Sequence, residues 1–273
     1  MDKDGNPIAS WRDKFDIITV DKWECPEEND ARILTMPNVP FPIQGEGCQP
    51  RTIYGPTVWN YMRKQCYSDA DDTCEICGYQ PDNPRYRHSH ELYSYDYSTQ
   101  TATFERCVCL CYTCHIMALH TGRALTLYKQ GSPMFTKEKL LAGAEHAFTI
   151  IGEYNAAHPD QEPLRLFSTW VDYMKQPELK AEMERLIEKH DIKFYKVSNK
   201  WYDKKHWNNW KLILNDTEYK TPYATRNDWE KAMTENNKQQ KIGMNKMRKA
   251  IARDFHKEIE EILTKPIDKT KPF

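Results

Sequence analysis

Two Cys-x2-Cys pairs, Cys74 with Cys77 and Cys111 with Cys114, flank residues 78–110. Each pair can place two thiolates on one tight turn. Two such turns close a tetrahedron around Zn2+, with Zn–S distances of about 2.3 Å. Gly78 directly follows the first pair and supplies the backbone freedom such a turn asks for. The spacing therefore predicts a structural zinc held by Cys74, Cys77, Cys111 and Cys114. Cys107 and Cys109 alternate with Cys111 along one strand and share its face. They read as small buried thiols in preference to further ligands. Cys25, Cys48 and Cys66 have no close partner and read as core or free thiols.

Histidines form the second set. His88 and His90 lie two apart in RHSHE and so share one strand face, while Glu91 points the other way. His115 and His120 follow in CHIMALHTGRA, a short helix that Gly122 is expected to end. Five residues of α-helix turn through roughly 500°, so these two imidazoles diverge by roughly 140°. Both reach one ion only if the helix is irregular, and His120 is otherwise placed to cap the helix end.

The order is zinc turn, strand, loop, strand, zinc turn, helix. With CEIC, HSHE and LCYTCHIMALHTGRA in that order, residues 50–127 resemble the zinc-stabilised HNH (ββα-metal) family of metal-dependent DNA endonucleases. The similarity is closest to phage and bacterial members, and it extends into the lead-in segment PRTIYGPTVWNYMRKQ. It implies a DNA endonuclease or nickase, phage or mobile-element encoded, using Mg2+ or Mn2+. The implied general base is His90, because imidazole titrates near neutrality. The implied helix ligand is His115, with His90 also beside the divalent ion, His88 in support and Arg106 on phosphate. Ser89 stands where many family members carry Asp or His, and Arg106 where the family has its middle Asn. His88 or Asp96 could stand in as ligand. The two helix histidines are also one residue further apart than in the proteins most resembled.

The elements that must position these residues are legible from periodicity. The fold expected is α+β, in four stretches: an N-terminal arm (1–54), an HNH-like zinc module with lead-in helix (55–130), a helical region (131–190), and a strand hairpin plus long basic helix (191–273). The lead-in helix runs from Gly55 to about Asp69, with Pro56 in its first turn. Thr136 precedes a helix reaching about Ala157, with Leu140, Leu141, Ala144, Phe148 and Ile151 on one side. Helical patterns follow at 164–175 and 178–190. Strands are expected at 192–197, 210–214 and 218–221, with Asn215-Asp216 as a turn, and a terminal amphipathic helix at 237–263.

Composition bounds the function classes. The 273 residues are 39% hydrophobic and 12% aromatic, which is too apolar for a disordered chain. No apolar run approaches the ~18 residues of a membrane span, and the first residues lack the apolar core of a secretory signal. A cytoplasmic protein with no membrane partner is expected, and its nine cysteines read as metal-binding in preference to disulfide-bonded. No Walker-type glycine loop, dinucleotide fingerprint or Ser-His-Asp arrangement is present. Net charge is −1, yet basic residues gather in the last third. Lys204 and Lys205 interleave with tryptophans, and Lys246, Arg248 and Lys249 lie early in the terminal helix. These five are the expected nucleic-acid contacts, with a solvated sheet edge and ordinary helix packing as the plainer readings. DNA is the expected partner. In the other reading the zinc module is catalytically inert, and the protein inhibits or recruits a host or defence protein or nucleic acid.

Overall fold

The computed structural model describes residues 17–27, 31–37, 49–197, 209–225, 227–232 and 234–235. The expected C-terminal helix lies outside these residues, as do Lys204, Lys205, Lys246, Arg248, Lys249 and Cys48. The described chain is α+β, as the sequence predicts.

A β-branched run makes β1 (Ile17–Val20), and β2 (Lys22–Trp23) follows at once. The Trp23 indole is buried and donates to Thr35 Oγ1 at 3.1 Å, on a short 3-10 turn (Ala31–Thr35). Helix α1 (Pro50–Asp69) begins one turn earlier than predicted and breaks at Gly55, whose φ of 75° is open only to glycine without strain. Pro56 then restarts it.

Strands β3 (Arg87–Asp96) and β4 (Thr101–Cys111) form the long antiparallel hairpin. Its turn is closed by the Asp96 carboxylate, which accepts from the backbone N–H groups of Ser98 and Thr99 at 2.8 and 3.2 Å. The register pairs His88 with Leu110, His90 with Val108, Ser89 with Cys109 and Glu91 with Cys107. One face thus carries His88, His90, Val108 and Leu110, and the other carries Ser89, Glu91, Cys107 and Cys109. Helix α1 covers the second face, where Cys66 is buried and the Tyr67 hydroxyl donates to the Arg87 carbonyl at 3.3 Å.

Beyond β4 the backbone winds into a π-helix (Thr113–Leu119) and then α2 (Thr121–Lys129). Gly122 therefore starts a helix and does not end one, contrary to the sequence expectation. Helix α3 (Lys137–Ala157) follows Thr136 as predicted, and Thr136 Oγ1 caps it by accepting from Lys139 N. Leu140, Ala144, Phe148 and Ile151 are buried on its expected face, and Ala147, Ile150 and Tyr154 are buried as well. This helix is enclosed on most of its circumference. Each such large apolar side chain contributes about 1.5–3 kcal/mol by leaving water.

Residues 164–175 are not an α-helix. Leu166 N donates to the Lys193 carbonyl at 3.0 Å, which draws β5 (Leu166–Phe167) into a sheet, and only a 3-10 stretch (Ser168–Lys175) follows. Helix α4 (Pro177–Lys189) begins on its proline as expected. Strands β6 (Phe194–Val197), β7 (Lys211–Leu214) and β8 (Thr217–Lys220) come after it. Asn215 and Asp216 both have positive φ, 47° and 60°, as a tight hairpin turn requires.

The strands make two sheets. One runs β2-β3-β4-β7-β8, with β7 parallel to β4 and the other pairs antiparallel. The other runs β1-β6-β5, all parallel. Trp210, 1% exposed, seats its ring edge-on to Tyr97 at 5.4 Å, so this tryptophan is core. No helix among the described residues is long and apolar enough to cross a membrane.

Candidate metal centres

The four cysteines converge as their spacing predicts. Cys74 and Cys77 lie on the turn after α1, where Gly78 (φ 72°) donates its N–H to the Cys74 carbonyl at 2.9 Å. Cys111 ends β4 and Cys114 is the second residue of the π-helix. All four sulfurs lie within 4.8 Å of one another, and Cys77 Sγ is 3.8 Å from Cys111 Sγ. A tetrahedron with bonds of about 2.3 Å has edges of about 3.8 Å, so the thiols fit Zn2+. Burial pushes the Cys111 and Cys114 thiols well up, whereas hydrogen bonds from the neighbouring thiols hold Cys77 well down. Four thiolates brought together in a buried site need a cation to offset their mutual repulsion.

Cys107 and Cys109 stay outside the tetrahedron, on the α1 face. Burial raises them to about 11 and about 12, which suits inert thiols. Glu75, between the first two ligands, fastens the zinc turn to β4. Its carboxylate accepts from Cys109 N at 2.7 Å and meets Arg106 at 3.0 Å, while Glu75 N donates to the Cys109 carbonyl. Arg106 is therefore engaged by Glu75 and lines a cleft beneath α1 with Tyr61, Cys66 and Cys107. It is not brought to the histidines. Neither is Asp96, which closes the hairpin turn, nor Ser89, which stands on the α1 side of β3.

On the opposite face four imidazoles gather. His115 stacks on His88 with ring centroids 4.8 Å apart, and lies 5.1 Å from His90 and 4.7 Å from His120. His90, His115 and His120 each offer a nitrogen within 4.8 Å of the others. His115 Nε2 and His120 Nε2 are 3.3 Å apart. Two imidazoles bound to one ion at about 2.0–2.1 Å in tetrahedral geometry stand at about that separation. His90 Nε2 is buried without a hydrogen-bond partner, an orphan that a cation would satisfy.

The π-helix makes this convergence. His120 N donates to the His115 carbonyl at 3.2 Å, an i→i+5 bond. A turn of about 4.4 residues leaves positions five apart within roughly 50° of each other, where an α-helix leaves roughly 140°. The expected divergence of His115 and His120 is thus corrected by an irregular helix that absorbs the extra residue between them.

The electrostatics favour a metal over protons. Burial alone lowers His88 to about 4, and burial with the charge of Arg123 lowers His120 to about 4. Burial and neighbouring imidazoles hold His90 and His115 well below the ordinary imidazole value. All four are neutral at pH 7, with lone pairs free to ligate. Arg123, exposed on the first turn of α2, is the cation whose field reaches His115 and His120. Sequence reasoning gave it no role, and the sole signal was its place in the GRA run. Missed too was His146 on α3, whose Nε2 lies 3.3 Å from Cys114 Sγ.

No protein-family model, curated protein or solved structure matches the chain.

Proposed function

We propose that the histidine face is the divalent-cation site of an HNH-like DNA endonuclease or nickase, and that the cysteine-bound zinc serves only to hold it. The observation that carries this reading is the approach of His115 Nε2 to His120 Nε2 at 3.3 Å, with a ring nitrogen of His90 within 4.8 Å of the pair. His90, His115 and His120 would hold the ion. Bound there, it would supply positive charge for a scissile phosphate and its leaving oxygen. His90, expected as general base, is instead grouped with the ligands. That leaves His88, neutral at pH 7 and stacked against His115, outside the ligand set, where its buried Nε2 would accept a hydrogen bond and orient the attacking water, burial making it too weak a base to take the proton outright. Arg123 takes over from Arg106 as the cation placed to meet a phosphate oxygen. The ion expected from the resemblance is Mg2+ or Mn2+, whereas three imidazoles suit a borderline ion such as Zn2+ or Co2+ better.

The test is nicking of supercoiled plasmid by zinc-loaded protein with Mg2+, Mn2+, Co2+ or further Zn2+. Cutting that needs the added ion, and that disappears in both His120→Ala and His88→Ala, is the expected result. Cutting that survives both substitutions sinks the assignment.

A second reading is favoured by one observation. Ser89 faces away from the cluster and Arg106 is bound to Glu75, so neither of two positions that serve catalysis in the resembled family is brought to the histidines. In that reading the knuckle is a scaffold, and the protein binds a host or defence protein or nucleic acid. DNA binding without cutting under any ion supports it.

A further inference from the structure

Four thiolates around one dication leave a net charge of −2, and the sulfur-bearing residues here are at most 8% exposed. Charge of that size in a low-dielectric interior must be met by hydrogen-bond donors aimed at the sulfurs. The knuckle provides one itself, Cys114 N on Cys111 Sγ at 3.4 Å. A second comes from another element. His146, in the middle of α3 and 5% exposed, brings Nε2 to 3.3 Å from Cys114 Sγ.

The approach is built into the packing of α3. One turn before His146 stands Gly143, where a Cβ would come within 2.7 Å of the Met117 Cβ on the π-helix. The two backbones meet closely there, and a larger residue would hold His146 away from the sulfur. Cys114 also immediately precedes His115. A bond that fixes Cys114 therefore fixes the first turn of the π-helix on which both helix histidines ride.

We propose that His146 is a positioning residue of the zinc centre, donating its Nε2–H to the Cys114 thiolate and so clamping α3 to the metal. The inference rests on the four cysteines holding an ion and is independent of nuclease activity. An N–H···S bond draws charge from the sulfur, which raises the energy of sulfur-to-metal charge transfer and slows metal loss.

The full chain is reconstituted with Co2+ in place of zinc, alongside His146→Phe, which keeps a ring without a donor, and His146→Gln, which keeps a donor at the height of Nε2. The Phe variant is expected to move the S→Co band to lower energy and to lose metal to a chelator about tenfold faster. The Gln variant is expected to restore most of both. Identical bands and release rates in wild type and Phe variant would overturn the proposal. If the Phe variant does not fold, the unmodified chain loaded with 113Cd decides. A His146 Nε2–H proton coupled to the cadmium supports the bond, and an unprotonated Nε2 refutes it.

Discussion

His115 and His120 bring their Nε2 atoms to 3.3 Å although five positions separate them, because the segment that carries them is a π-helix. Such turns are rare, and their i→i+5 bonds make poorer geometry than an α-helix, so a folded chain keeps one where it gains something else. Here the gain is convergence on one point. His120→Ala removes one of three donors and should weaken the second ion by at least tenfold, the loss that even outer-shell changes cause. The cysteine-bound zinc should stay at one per chain. Metal analysis after gel filtration checks both, and retention of a second ion by His120→Ala would refute the donor set.

The ion itself follows from the ligands. Imidazole nitrogens without a carboxylate rank Zn2+, Co2+ and Ni2+ above Mg2+, which dehydrates reluctantly and prefers oxygen. Calorimetric titration of zinc-loaded protein should show a second Co2+ or Zn2+ site abolished by His115→Ala, and no Mg2+ binding at millimolar concentration. Mg2+ binding that outcompetes Co2+ would show that oxygen ligands complete the site.

Removing the first ion should cost far more than removing the second. Cys74, Cys77, Cys111 and Cys114 join the α1–β3 turn to the start of the π-helix, and structural zinc contributes on the order of 10 kcal/mol in small modules. A strong chelator, or Cys111→Ser, should abolish cooperative unfolding of the β3–β4 unit in a calorimetric scan. An unchanged Tm after complete zinc loss would refute the structural role.

The cysteine tetrahedron was legible in the sequence because two Cys-x2-Cys turns encode it locally, and so was the hairpin between them, whose alternation places His88 and His90 together. What escaped needed tertiary information. The 3.6-residue period that located α3 is the assumption that misplaced His120, since nothing in CHIMALH announces a wider turn. The parallel pairing of Leu166 and Phe167 with β6, with Leu166 N on the Lys193 carbonyl, overrode a helical pattern at 164–175. His146 touches Cys114 across 32 positions, and Glu75 holds Arg106 across 31. Neither contact has a spacing to read.

Acid should act on the histidine face. His88 and His120 have folded-state values of about 4 against an ordinary 6.5, so the unfolded chain binds their protons first. Their contribution is complete above pH 6.5 and is lost as pH falls towards 4. In protein carrying only the cysteine-bound ion, Tm should drop between pH 7 and pH 4.5, and His88→Phe should flatten that drop. A variant whose Tm falls in parallel with wild type would show that other groups govern the acid limb.

Gly143 packs tightly on Met117, a contact that can be tested without touching a ligand. A Cβ at 143 would sit 2.7 Å from the Met117 Cβ, which is fixed to the π-helix backbone and cannot swing aside as a side-chain tip can. Gly143→Ala must therefore separate α3 from the π-helix, at a cost of about 1–3 kcal/mol by overpacking, partly offset by alanine's better helix propensity. The displacement reaches both centres, because it carries His146 from Cys114 and turns the helix that orients His115. The expected outcome is a lower Tm together with faster zinc release, measured on the same preparation. Loss of stability with zinc release unchanged would show that the packing of α3 and the metal are uncoupled.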